Sequence, residues 1–342
     1  MDIIRKLGAY IPGFALAIVI AFCASFIEGL LPVHLIGASV IALFIGMFLN
    51  PHIKSPVFKT GITFTSKKVL KFAIILLGAS LNVQTVLTVG KLSLSVMCFT
   101  LLTCFGGGYL VGKALGLDWK LSNLISAGTG ICGGSAIAAI APVIDAEDRD
   151  IAYAMSATFL FDMAMIVLFP IMGRFLGLSD MAYGLWAGTA VNDTSSVVAA
   201  GYAFSEAAGD FATMVKLTRT LAIIPTVLIF ALINARLKRK NAAGVGNVTG
   251  EKVNVTSLLP WFILFFLLLS VINSFGFIPT EVSTGAKSLS KFLMVGALAA
   301  IGLNTSFSEM KKAGIAPMVH GFIISLLVVL VAIGVEWCMG IV

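Results

Sequence analysis

GTGICGGSAIAAIA, residues Gly128 to Ala141, sets four glycines among its first eight residues in the middle of an apolar stretch. Glycine costs about 1 kcal/mol relative to alanine at each helix-interior position, so Gly128, Gly130, Gly133 and Gly134 together predict a local unwinding. Hydrocarbon supplies no hydrogen bonds, so unwound backbone at membrane depth survives only against protein or a wet cavity. Ser135 is a good N-cap residue, and a helix restarting there over Ala136 to Ala141 would aim free N–H groups and a positive dipole end inward. That arrangement is an anion site, and discontinuous helices meeting at the midplane recur in secondary transporters. Gly128, Thr129, Gly130, Cys132, Gly133, Gly134 and Ser135 are therefore candidate substrate-binding residues. The alternative is close helix packing through small residues.

Further along, GTAVNDTSSVVAAG (Gly188 to Gly201) aligns with this stretch without gaps: Gly-Thr opens both, and Ser135 falls on Ser195. Here Asn192, Asp193, Thr194, Ser195 and Ser196 form an unbroken polar run inside another apolar segment. A carboxylate such as Asp193 costs about 2.5 to 3.5 kcal/mol at a helix centre, so the cluster lines a cavity, coordinates something, or glues helices by hydrogen bonds. Asp193 is expected to carry a proton or, with Asn192 and Thr194, to offer oxygen ligands to sodium; Thr194, Ser195 and Ser196 are expected on the substrate side. Lys216 and Arg219 lie one helical turn apart, and so on one face. Beside two helix N-termini they would complete an anion cradle; the alternative, for Lys216 above all, is snorkelling to the headgroups. Asp162, in an otherwise apolar segment, is a candidate proton relay or a structural partner of Arg219.

Working outward, 59% of the 342 residues are hydrophobic and 11% are charged, with mean hydropathy +1.04. Soluble domains carry roughly 25% charged residues. Runs of about 20 apolar residues, each enough to cross ~30 Å of hydrocarbon as a helix, recur along the chain, without the short alternating segments of a barrel. The fold class is all-α and polytopic, a single membrane domain of about eleven segments near 10–28, 33–49, 69–87, 91–112, 121–144, 150–173, 182–203, 211–235, 257–275, 287–304 and 314–340.

The net charge of +7 suggests nucleic acid only until the basic residues are placed, because they sit between apolar segments. Arg5 and Lys6, Lys54 to Lys68, Lys113 and Lys120, Arg174, Arg236 to Lys240, and Lys311 with Lys312 fall on one side. The acidic loops at 145–150, Glu206 with Asp210, and Glu281 fall on the other. That asymmetry predicts a cytoplasmic N-terminus and an outside C-terminus, with a cytoplasmic linker near 238–256. Residues 1 to 28 read as an uncleaved first helix. Of the five cysteines, Cys23, Cys98, Cys104 and Cys338 read as small core residues and Cys132 stands apart. His34, His52 and His320 lie near segment ends with no metal-like grouping.

A second similarity links LLGASLNVQTV (Leu76 to Val86) with ALAAIGLNTSFSEM (Ala297 to Met310), matching Leu81-Asn82 to Leu303-Asn304. The two asparagines are expected as helix C-caps. With every segment crossing, this pair is inverted but the glycine-rich pair comes out parallel. Either one of those segments does not fully cross or the count between them is off by one.

GTGICGGSAIAAIAPVIDA, WAGTAVNDTSSVVAAG and KLTRTLAIIP together resemble the YeiH-like sulfate exporter family, within the cation:proton antiporter and anion transporter superfamily, with bile-acid sodium symporters as distant relatives. The resemblance covers nearly the whole chain. It implies a core domain with two crossing discontinuous helices that moves against a flatter panel for alternating access. It also implies site positions at Gly130, Cys132 to Ser135, Asn192 to Ser196, Lys216 and Arg219.

The expected function is secondary transport of a small inorganic or organosulfur anion across a bacterial inner membrane, with sodium-coupled organic anion symport as the alternative. The expected partners are that anion, a coupling proton or sodium ion, and the lipid bilayer, with a homodimer left open; no nucleic acid, cofactor or metal is expected. Among rivals, an intramembrane aspartyl protease using Asp162 and Asp193 lacks the Tyr-Asp and Gly-x-Gly-Asp motifs, and neither HExxH nor GxSxG occurs, so no enzymatic activity is expected. A passive channel would not need interrupted repeats.

Overall fold

A computed structural model of the chain describes residues 9–30, 38–53, 55–241, 261–305 and 314–342. Arg5, Lys6, His34, Lys54, Lys311, Lys312, the side chains of Lys238 to Lys240 and most of the expected linker lie outside the described residues. Among those described, the chain is helical with no strand.

Helix α1 is Ile11–Leu30 and α2 is Ala38–Leu49. α3 runs over 56–78 and α4 over 83–114, each through a π-helical turn, at Thr65–Val69 and Thr103–Gly107. α5, Trp119–Ala127, continues as a π-helical turn to Cys132, and α6 is Gly134–Ile140. α7 is Asp148–Phe175, α8 Asp180–Ala190 and α9 Thr194–Phe204. α10 covers 206–241 with a turn at 221–222, followed by α11 (Trp261–Ser274), α12 (Thr280–Asn304) and α13 (Ile315–Cys338). α1, α4, α7, α10, α12 and α13 are long and apolar enough to cross a membrane.

One expected segment is displaced. Instead of 69–87, α3 ends at Gly78 and the chain turns before Asn82, whose side chain accepts the Gln84 N–H at 2.7 Å. Asn82 is thus the N-cap of α4 rather than a C-cap: its short side chain competes for backbone donors and starts the next helix. Lys59, Lys67 and Lys68 accordingly ride on α3 rather than in a loop. Asn304 is the last residue of α12, with Thr305 in the C-cap position. Cys23, Cys98 and Cys338 are exposed, not core; Cys104 and Cys132 are buried. A surface facing hydrocarbon accepts a thiol as readily as a core does, and it also accepts Phe22, Phe26, Phe48, Phe72, Leu102 and Phe175, all exposed.

The helices pack as two bundles. In the panel, α12 lies along α2 and α3, α1 packs on α2 and α3, and α11 packs on α3. Gly46 faces the Gly302 backbone and Gly13 faces Gly61, close approaches that small residues permit between membrane helices. The core bundle holds α4 to α10 and α13: α7 runs along α5 and α9, α10 along α8 and α9, and α13 touches α4, α5, α7 and α8.

The two interrupted segments fold back on themselves. Tyr183 near the start of α8 stacks on Phe204 at the end of α9, with centroids 3.9 Å apart, and its hydroxyl donates to Ala200 O at 2.9 Å. Ser205 Oγ donates to Asp180 Oδ1 at 2.5 Å, closing the base of the hairpin. At the other segment, Lys120 Nζ donates to Asp145 O at 2.7 Å, so α5 and α6 also enter and leave on one face. Each limb of the second hairpin has 11 residues, about 16 Å of helix or half the hydrocarbon thickness. α7, with 28 residues or about 42 Å of helix, joins the base of the first hairpin to the base of the second. The hairpins therefore enter from opposite faces, which settles the alternative left open above: neither segment crosses, and the glycine-rich repeat is inverted.

Candidate functional site

The hairpin tips meet. Gly133 turns the first with φ +65° and ψ −134°, a conformation open to glycine, and a methyl group added there would lie 2.9 Å from Asp193 Cβ. Gly133 and Asp193 occupy the same place in the two aligned stretches. α6 begins at Gly134, one residue before the expected Ser135 cap, because the glycine turn itself reverses the chain and Ser135 is left exposed. At the second tip Val191 and Asp193 are extended, and Asp193 caps α9 by accepting the Ser195 N–H at 2.9 Å and the Ser195 hydroxyl.

A turn at mid-membrane frees carbonyls from the incoming limb and amides from the outgoing one. Buried charged side chains meet both. Asp162, halfway along α7, accepts the N–H groups of Asn192 at 3.0 Å and Asp193 at 3.1 Å. Lys216 donates to Val191 O at 2.9 Å. Arg219 donates from Nε to Gly130 O at 2.6 Å, from Nη2 to Thr129 O at 2.7 Å and from Nη1 to Val191 O at 3.4 Å. Asp162, Lys216 and Arg219 are all at most 1% exposed. Lys216 therefore does not snorkel, and Asp162 binds backbone amides instead of forming the expected pair with Arg219. The connection is reciprocal: the helix after the first hairpin holds the second tip, and the helix after the second holds the first.

The structure thus brings together Gly128 to Ser135, Asn192 to Ser196, Asp162, Lys216 and Arg219. It divides them by exposure: Cys132, Asn192, Ser195 and Ser196 are buried, Gly134, Asp193 and Thr194 are half-buried, and Ser135 is exposed. Two buried oxygens at the tips, Thr129 Oγ1 and Asn192 Oδ1, have no hydrogen-bond partner among the described residues, an exception in a folded interior.

Three residues escaped the sequence reading. Ser325 on α13 receives Asn192 Nδ2 at 3.4 Å, and α13 also takes Trp186 Nε1 on Val329 O at 3.0 Å. His320, placed near a segment end, is buried with Nε2 3.2 Å from Ser122 Oγ and 3.0 Å from Gly108 O. Lys71 on α3 is exposed, stands 5.5 Å from the centre of the Phe262 ring and lies within electrostatic reach of Cys132 beside the first tip. It makes no ion pair with any described residue. Lys71 was detectable as a lone lysine within an apolar run; Ser325 and His320 carried no comparable signal.

The family model described as conserved hypothetical protein 698 matches residues 12–321. A UPF0324 membrane protein of Clostridium tetani (strain Massachusetts / E88) is 59% identical over 337 residues, covering 97% of this chain and 98% of the relative. One from Streptococcus pyogenes serotype M18 is 42% identical over 350 residues, covering 99% and 98%, and one from Fusobacterium nucleatum is 40% identical over 328 residues, covering 90% and 92%. Match length, identity and the apolar helices agree, and the chain belongs to the UPF0324 family of multi-pass membrane proteins, the YeiH-like family that its motifs resemble.

Proposed function

We propose that this protein is a secondary transporter that moves a small inorganic or organosulfur anion across the bacterial inner membrane by alternating access between panel and core. The observation that carries the reading is the meeting of two re-entrant hairpins from opposite faces, with polar tips held halfway along α7 by Asp162, Lys216 and Arg219. A protein that needed only a stable bundle would have no reason to bury three charged side chains at its centre. Because Lys216 and Arg219 are hydrogen-bonded to carbonyls, their role is to hold the tips and supply positive potential. The groups open to an anion are Ser135, the Gly134 amide, Thr194 and, from the panel, Lys71. No enzymatic step is assigned to the site.

A second reading within transport is sodium-coupled uptake of an organic anion. It is favoured by Thr129 Oγ1 and Asn192 Oδ1, buried oxygens of the two tips with no hydrogen-bond partner among the described residues. Two non-crossing hairpins leave the parity of the chain unchanged, so the basic residues still argue for an inside N-terminus and an outside C-terminus. The 145–150 loop moves to the inner face and Arg174 to the outer one.

The test is counterflow in proteoliposomes with sulfate, sulfite, thiosulfate, small sulfonates and carboxylates, with sodium present or replaced by potassium. Saturable counterflow of one of these anions is the expected result, lost in Ser135→Leu and weakened in KM by Lys71→Gln. Uptake linear in concentration without counterflow points to a channel and overturns the reading.

A further inference from the structure

Among the described residues, charged side chains link the panel to the core at one face. Lys287 and Lys291 stand one turn apart on α12, and Glu206 and Asp210 one turn apart at the start of α10, directly after the base of the second hairpin. Lys287 Nζ lies 3.1 Å from Glu206 and 2.7 Å from Asp210, and Lys291 pairs with Glu206. Tyr202, at the end of the same hairpin, donates to Asp210 Oδ1 at 2.6 Å and places its ring 5.8 Å from the Lys291 ammonium. The Lys287–Asp210 pair, with side chains 30% and 10% exposed, is the shielded one, and Glu206, 62% exposed, extends it outward to Lys291.

Among the described residues the opposite face shows no such pair between panel and core. The alignment that sets Gly128 on Gly188 sets Asp150 on Asp210. Asp150 lies 3.9 Å from Arg149 of its own helix, and the exposed Lys67 and Lys68 of α3 make no ion pair with any described residue. The tips also differ: Ser135 of the first hairpin is exposed, while its match in the second, Ser195, is 7% exposed.

We propose that Lys287, Lys291, Glu206, Asp210 and Tyr202 form an ionic latch between panel and core, closing the tips from the face on which the second hairpin opens. The latch must part for that face to reach the tips. Its gating role rests on the alternating-access reading above, but the latch is testable without a substrate.

Thr194→Cys, in a background with the five native cysteines replaced, reports access to the second tip through its rate of labelling by a membrane-impermeant maleimide. The reagent is applied to vesicles from the face bearing Glu206. Lys287→Glu with Lys291→Glu should raise that rate about tenfold. Adding Glu206→Lys and Asp210→Lys, which restores opposite charges, should return it toward the starting value. Monodisperse elution and an unchanged melting temperature establish that each variant is folded. Should the double reversal fail to fold, Lys287→Gln with Lys291→Gln serves in its place, with a smaller rise expected. An unchanged labelling rate in folded variants overturns the latch. If the unmodified protein shows counterflow while labelling stays unchanged, the latch alone falls. If counterflow is absent but labelling follows the charges, the latch stands and the transport reading falls.

Discussion

The two hairpins share a position in an inverted repeat and an opening Gly-Thr, yet their chains reverse by different means. The first uses backbone freedom: Gly133 takes a left-handed conformation, and no side chain caps the helix that follows. The second uses side chains: Asp193 caps α9 from within, and Asp162 takes the remaining amides from outside. Glycine makes a turn without filling space, which leaves Ser135 open beside it. A run of Asn, Asp, Thr and Ser makes a turn by saturating its own donors and leaves less for a ligand. Chemistry at the paired tips is therefore unequal. The first tip is the more accessible and the second the more polar, which under the proposed transport reading assigns the anion to the first and a coupling ion or proton to the second.

Substitutions at the four supports separate these cases, and thermal unfolding in detergent measures each one. Arg219→Leu is expected to have the largest effect, about 3 to 5 kcal/mol, because it strands carbonyls of both tips in a dry interior. A loss below 1 kcal/mol would mean that water replaces the guanidinium there. Gly133→Ala should follow, at about 2 to 3 kcal/mol, from a conformation that side chains avoid and a close approach to Asp193. Gly134→Ala, at a half-buried helical position, should be nearly neutral; equal losses at the two glycines would remove the turn from the explanation. Asp162→Asn keeps one acceptor for two amides and should cost about 1 to 2 kcal/mol. Asp193→Ala removes one N-cap and should cost about 1 kcal/mol. If it instead matches Gly133→Ala, the second tip depends on its local cap as strongly as the first depends on its glycine.

Much of this was readable along the chain. The membrane location, the number of apolar segments and the two interruptions follow from composition and from the local cost of glycine or a carboxylate in an apolar helix. Those quantities belong to short windows and need no partner. The candidate residues at both tips were identified for the same reason. The displaced α3 shows the limit of such windows: 69–87 is mostly apolar, and it is divided into two helices by the Asn82 cap together with two residues of α11 from far along the chain, Ser274, which accepts the Val83 N–H, and Asn273, which donates to Leu81 O.

Other features depend on residues distant in sequence. A hydrophobic segment with a break looks alike whether it crosses or doubles back; stacking of Tyr183 on Phe204 and the Lys120 contact with Asp145 distinguish the two. Lys216 and Arg219 attract attention as cations, but only packing reveals that they hold carbonyls, because the carbonyls are freed by turns elsewhere. The pairing of Lys287 and Lys291 with Glu206 and Asp210 likewise exists only once panel and core are side by side. Local energies dictate where the chain must break and what must be buried, whereas the partners that make those breaks tolerable are chosen by the long-range fit of one helix against another.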